Sequence, residues 1–315
     1  MAWIFPILSG LLDAASRGVI KHTKIDPLTL ISRSFIFTLP YYAIWLWFAG
    51  IPQVPIFFWL INILNIYLGV KGMELTIRAH RATSFILTAP YLSLTPAFLL
   101  FTTPAFVAIM VVLNLPGSPK GTVTLWGIAG VVVLTAGIYL LNLAKEHKSI
   151  RGSLRVFMEN KGSRLMCVVA FLWAITTNLD YIGIQNSNMP FQLLVNHGGL
   201  MILATILSGR RSSRKPSGAI HKNLWWVFAL YGSMIAAQMI FHFLSFVWIP
   251  TVSYVIAGKR TGAILFTVAT GLAASYLKLF GTMYEGERQY LNYRIPGLLL
   301  MIGGMLLIIF KGMTN

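Results

Sequence analysis

The chain has 315 residues, of which 57% are hydrophobic and only 10% charged, with 25 Lys and Arg against 8 Asp and Glu. A soluble domain carries roughly a quarter charged residues, so a soluble enzyme or a soluble nucleic-acid platform is excluded as the body of this molecule. The single Cys167 excludes an intrachain disulfide.

Apolar stretches of about 20 residues, enough to cross ~30 Å of hydrocarbon, recur at 3–21, 27–49, 55–74, 82–113, 122–143, 164–184, 189–208, 224–246, 251–281 and 293–310. The first has no basic region ahead of it and runs into Arg17, Lys21 and Lys24, so it reads as a retained helix rather than a signal peptide. The fourth and ninth are overlong. Pro90, Pro96 and Pro104 make the fourth kinked, tilted or broken. Between the fifth and sixth, Ile150, Leu154, Phe157 and Met158 fall at helical spacing with Lys148, Arg151 and Arg155 between them. That pattern suits a short helix in the membrane interface.

The second half echoes the first. Gly130 through Leu141 (GVVVLTAGIYLL) is repeated by Gly297 through Ile308 (GLLLMIGGMLLI), and Asp26-Pro27-Leu28 matches Met189-Pro190-Phe191. Arg81-Ala82-Thr83-Ser84 and Lys259-Arg260-Thr261-Gly262 match more loosely. A unit with an odd number of spans inserts upside down relative to its copy, and inverted repeats around a midplane site are a common build for secondary transporters. The expected fold is an all-α membrane protein of ten transmembrane helices in two inverted five-helix repeats. Residues 1–145 form the first repeat, 146–163 a basic cytoplasmic linker, and 164–315 the second.

Positive charge is one-sided. Lys and Arg crowd the odd-numbered connections, with Lys145, Lys148, Arg151, Arg155, Lys161 and Arg164 in the fifth and Arg210, Arg211, Arg214, Lys215 and Lys222 in the seventh. The even connections and the termini offer only Lys120 and Lys311. The positive-inside rule then makes the odd face cytoplasmic and puts both termini outside. The net charge of +17 is read as anchoring near anionic membrane lipid rather than as binding to nucleic acid.

Charges inside the spans mark where chemistry is sought, because each costs several kcal/mol unless it faces protein or water. Asp13 and Arg17 are four residues apart on one helical face, either as an ion pair or as part of a cavity wall. Arg17 and Arg33 lie nearer the cytoplasmic ends and are gating candidates. Asp180 follows Thr176, Thr177 and Asn178 and is the repeat partner of Arg17. It is a proton or gating site, or an ordinary satisfied cluster. Lys259 and Arg260 sit some eight residues into the ninth span, ~12 Å along a helix. Adjacent helical residues point ~100° apart, so one can meet substrate while the other pairs with Asp13 or Asp180. A basic group in a cavity binds carboxylate or phosphate. His197 and His242 are candidate proton carriers or packing residues. Trp173, Asn196, Gln238 and Tyr254, with Tyr181 and Gln192, are candidates for cavity walls and hydrogen bonds.

The span order and local patterns resemble the drug/metabolite transporter superfamily, specifically its EamA-like members. The likeness is carried by Pro27-Leu28-Thr29-Leu30-Ile31-Ser32-Arg33, Leu94-Thr95-Pro96-Ala97-Phe98, Trp126 through Gly137, Trp173 through Asp180, and Tyr254 through Thr261. It covers essentially the whole chain. A Gly-Glu pair common in that family between the fourth and fifth helices is replaced by Asn114-Leu115-Pro116-Gly117-Ser118-Pro119, while Glu285-Gly286-Glu287-Arg288 keeps acidic residues in the second-half turn. The resemblance implies alternating-access carriage of small metabolites, amino acids or related anionic solutes, with export the expected direction. Energy would come from proton coupling or exchange. It also implies a bacterial or archaeal cytoplasmic membrane as the address, and a basic pair in the ninth helix of the kind that plastid phosphate translocators carry. No cofactor and no metal is expected, and one chain suffices for a pathway, with a homodimer open. The alternatives are a flippase for a lipid-linked sugar or other anionic lipid, and an intramembrane enzyme. The second is disfavoured because paired metal-ligand motifs and a nucleophile elbow are both missing from the sequence.

Overall fold

The computed structural model describes residues 3–21, 23, 25–82, 89–119, 125–141, 158–212, 224–249, 251–277 and 291–311. Every regular element among them is helical. In chain order these are α1 (Ile4–Lys21), α2 (Pro27–Phe35), α3 (Leu39–Ala49), α4 (Ile56–Ala82), a 3-10 turn (Ala89–Leu94), α5 (Thr95–Val112), α6 (Leu125–Leu141), α7 (Lys161–Gln185), α8 (Met189–Ser212), α9 (Trp225–Trp248), α10 (Val252–Leu277) and α11 (Leu291–Lys311). Residues 146–157 of the linker, which hold all but the last residue of the expected interfacial helix, and the Glu285–Arg288 turn lie outside the described residues.

Among the described residues, five segments are long and apolar enough to cross a membrane: Ile56–Ala82, Tyr91–Val112, Lys161–Gln185, Met189–Arg211 and Trp225–Trp248. The outer surface agrees with this. Trp47, Phe48, Ile56, Val112 and Leu125 are each more than 80% exposed, an apolar belt that water would not tolerate and lipid would. These are the marks of a helical membrane protein.

Three element boundaries differ from those expected. The second span is broken, with α2 ending at Phe35 and α3 beginning at Leu39. Pro40 lacks an N–H, and its ring would clash with the carbonyl four residues back. The chain therefore turns through tighter bonds, from Phe37 N–H to the Ser34 carbonyl and from Thr38 N–H to the Phe35 carbonyl. The third span runs on to Ala82, because its charged end stays helical: Glu74 binds Arg78 one turn on and Arg211 of α8. Lys71, Arg78 and Arg81 therefore all lie on α4. The overlong fourth span is shortened in consequence and enters α5 through the 3-10 turn, with Pro104 inside the helix.

Helix starts are set by side-chain caps. The Asp26 carboxylate accepts from the backbone N–H of Leu28 (3.0 Å) and of Thr29 (3.1 Å), with Pro27 at the first helical position. Asn188 caps α8 in the same way, accepting from Phe191 N–H at 3.0 Å. The α6–α11 and α1–α10 pairs are close-packed through glycine. A methyl group added at Gly137 would lie 2.6 Å from the Gly297 carbonyl oxygen, and one at Gly304 2.6 Å from that of Gly130. The two helices thus cross antiparallel, each presenting the same two glycines to the other.

Because those neighbours are backbone atoms, they cannot move aside. Gly304→Val is expected to destabilise the protein by more than the ~1–3 kcal/mol of ordinary core overpacking. Thermal unfolding in detergent checks this. Gly303→Val, at a position with open space around it, should change little.

Candidate functional site

One cavity of about 120 Å³ lies among α1, α4, α7, α8, α9 and α10, with room for roughly ten waters or one small solute. Asp13, Arg17, Trp173, Asp180, Asn196, His197, Gln238, His242, Lys259 and Arg260 all line it. The polar positions picked out of five separate stretches of sequence therefore converge on a single place. Arg33 and Tyr254 do not reach it. The Arg33 guanidinium lies 5.8 Å from the centroid of the Phe228 ring. Tyr254 is packed in an apolar cluster with Tyr181, Phe246 and Ile249.

Asp13 is the hub of the first wall. It accepts from Arg17, one turn along α1, and from Arg260 Nη1 of α10 at 2.9 Å, both at Oδ2. Asp13 and both arginines are buried. One carboxylate thus holds two guanidiniums and ties the first helix to the second half of the chain. Such a pair, out of water and hydrogen-bonded, is costly to break by removing one member. Arg260 Nε is sealed in protein without a partner.

Lys259 behaves differently. It is 7% exposed and lines the cavity, yet its ammonium makes no hydrogen bond and no ion pair among the described residues. The helical offset fits the division: adjacent residues of α10 point ~100° apart, and it is Arg260 that reaches ion-pair distance of Asp13.

The opposite wall is built on Asp180 of α7. Its Oδ1 accepts from Asn65 Nδ2 of α4 at 2.6 Å and from Asn196 Nδ2 of α8 at 3.0 Å. Gln192 of α8 is a third hydrogen-bonding neighbour of this carboxylate. Beyond Asp180, Asn62 and Gln192 exchange amide hydrogen bonds of 3.0 and 3.1 Å, joining α4 to α8. Sequence reading passed over Asn62 and Asn65. Their signal was available, since two amides three residues apart in an apolar run share one helical face.

The remaining candidates are placed as follows. His197 Nδ1 lies 3.2 Å from the Tyr42 hydroxyl and 3.4 Å from that of Thr38, with Phe35 against its ring. It therefore ties α8 to the break in the second span. The His242 ring packs on Phe246 at 4.9 Å, and its Nδ1 is sealed without a partner. Trp173 packs against Gly72, where an added Cβ would sit 3.3 Å from its ring. Gln238 lends its backbone carbonyl to Ser9 Oγ at 2.9 Å. The lining extends to Ile20, Ile77 and Tyr231, near the ends of α1, α4 and α9 that meet the odd-numbered connections.

A helical membrane bundle around a buried, charged cavity is the class that these features define. No family model and no curated protein matches the chain. A solved structure described only as "Crystal structure of protein" matches it with a TM-score of 0.60 at 12% identity, covering 99% of this chain and 96% of that one. At that identity the likeness establishes the fold alone.

Proposed function

We propose that the chain is a secondary transporter of small metabolites bearing an anionic group, amino acids among them, and that it works by alternating access between two inverted five-helix repeats. The observation that carries the proposal is Lys259: an unpaired cation, buried in the middle of a bundle, facing a cavity of solute size. A charge so placed is unfavourable unless something that visits the cavity complements it. A carboxylate or phosphate does so.

The packing supports the repeat. If α1 corresponds to α7, α2–α3 to α8, α4 to α9, α5 to α10 and α6 to α11, then neighbours map onto neighbours. α1 packs on α9 and α10, and α7 packs on α4 and α5. α2–α3 pairs with its own counterpart α8, and α6 with α11. The antiparallel glycine crossing of α6 with α11 joins the two segments that are alike in sequence. The helix caps at Asp26 and Asn188 fall within one residue of the same place in each half. This arrangement, together with the resemblance described from sequence, favours membership of the EamA-like drug/metabolite transporters. It also favours a bacterial or archaeal cytoplasmic membrane with the odd connections inside.

In this scheme substrate enters from the odd face, past Ile20 and Ile77, and its anionic group meets Lys259. Asp13 keeps Arg260 and Arg17 occupied, so Lys259 alone responds to substrate. Rocking of the repeats then closes this side and parts the Asn62–Gln192 side. Proteoliposomes test the reading. With a pooled panel of labelled amino acids, organic acids and sugar phosphates, with and without a pH gradient, wild-type protein should accumulate an anion-bearing solute. Folded protein that moves no solute, but translocates a labelled anionic lipid, would replace the reading with lipid flipping.

A further inference from the structure

Resting on the transport reading, the geometry points to a second recognition pole at Asp180, so that the cargo is a zwitterion: its anionic group is held by Lys259 and its cationic group by the Asp180 carboxylate. That carboxylate is 8% exposed and lines the same cavity as Lys259. Amides from two helices, Asn65 of α4 and Asn196 of α8, fix one of its oxygens, so it cannot turn freely, and it has no cationic partner in an ion pair among the described residues.

The two charges attract each other, yet they form no ion pair. The gap between them is left for a ligand that carries both charges. Asp13, the carboxylate that Lys259 feels most strongly, forms no ion pair with it and already serves two arginines. A cargo with an anionic group alone would leave Asp180 unpaired in a closed, low-dielectric space. One with an amine alone would leave Lys259 unpaired. Sites built around a buried polar partner reject analogues that lack the complementary group far more strongly than apolar pockets reject a missing methylene.

Equilibrium binding to the full chain in lipid nanodiscs separates the possibilities. The probes are α-amino acids, ω-amino acids, their des-amino carboxylates and their decarboxylated amines. Wild-type protein is expected to bind at least one zwitterion about 30-fold or more tightly than either half-molecule, the range for losing one buried charge contact. Asp180→Asn should erase the difference between zwitterion and des-amino acid. Equal wild-type affinity for an amino acid and its des-amino acid would overturn the Asp180 pole and leave the transport reading intact. An Asp180→Asn loss that is the same for both probes would do likewise. The wild-type comparison stands even if the variant fails to fold. Binding of no probe of any class would remove both the pole and the transport reading.

Discussion

Replacing Lys259 by Met is expected to abolish solute uptake and, at the same time, to raise the melting temperature. The two effects have one cause. The ammonium is buried without an ionic partner, and each buried ion costs several kcal/mol of lost hydration. Methionine fills the same space without that cost, and replacing buried charge with apolar side chains of similar volume is neutral or stabilising by about 1–4 kcal/mol. Function moves the other way. Loss of a buried charge contact to substrate costs about 2–5 kcal/mol, which is roughly 30-fold or more in affinity. Uptake and thermal unfolding of one preparation give both readings. A melting temperature several degrees below wild type would mean that Lys259 holds the bundle together, and its assignment to substrate would fail.

The second large effect is expected at Asp13, and there stability and function fall together. Asp13→Asn leaves Arg17, Arg260 and Lys259 as three buried cations in one cavity, with the first two stripped of their shared partner. Breaking a buried pair from one side costs about 3–5 kcal/mol. Arg260→Gln should cost less, because Asp13 keeps Arg17. The ordering is the prediction: Asp13→Asn is less stable than Arg260→Gln, which is less stable than wild type, which is less stable than Lys259→Met. Equal melting of Asp13→Asn and wild type would show that the carboxylate is not holding these arginines.

Much of the site was legible because charge inside an apolar span is rare, and each such residue has to be explained. The i, i+4 spacing of Asp13 and Arg17 allows both an ion pair and a place in a cavity wall, and the structure has both. The ~100° step between Lys259 and Arg260 predicts that only one of them can share it. Sequence left open which one, since that depends on the rotation of α10 against α1, and that rotation is fixed by Gly10 and Gly262 in the contact. The same missing angle accounts for Arg33 and Tyr254, which have the right chemistry at the right depth but face Phe228 and an apolar cluster. Asn65 escaped notice for a different reason. A single amide in an apolar helix reads as packing until its partner is known, and Asp180 lies 115 residues away. The boundaries that moved also have local causes. Hydropathy ends the third span near its first charges, whereas Glu74 neutralises them from within the helix by holding Arg78 and Arg211.

Trans-stimulation in proteoliposomes tests the carrier mechanism most directly. Vesicles preloaded with an unlabelled transported solute should take up the labelled solute several-fold faster than empty vesicles, because a loaded site returns through the membrane as readily as it left. Lys259→Gln should show neither uptake nor stimulation. Uptake that is indifferent to the solute inside, or that persists unchanged in Lys259→Gln, would contradict a carrier built around this residue.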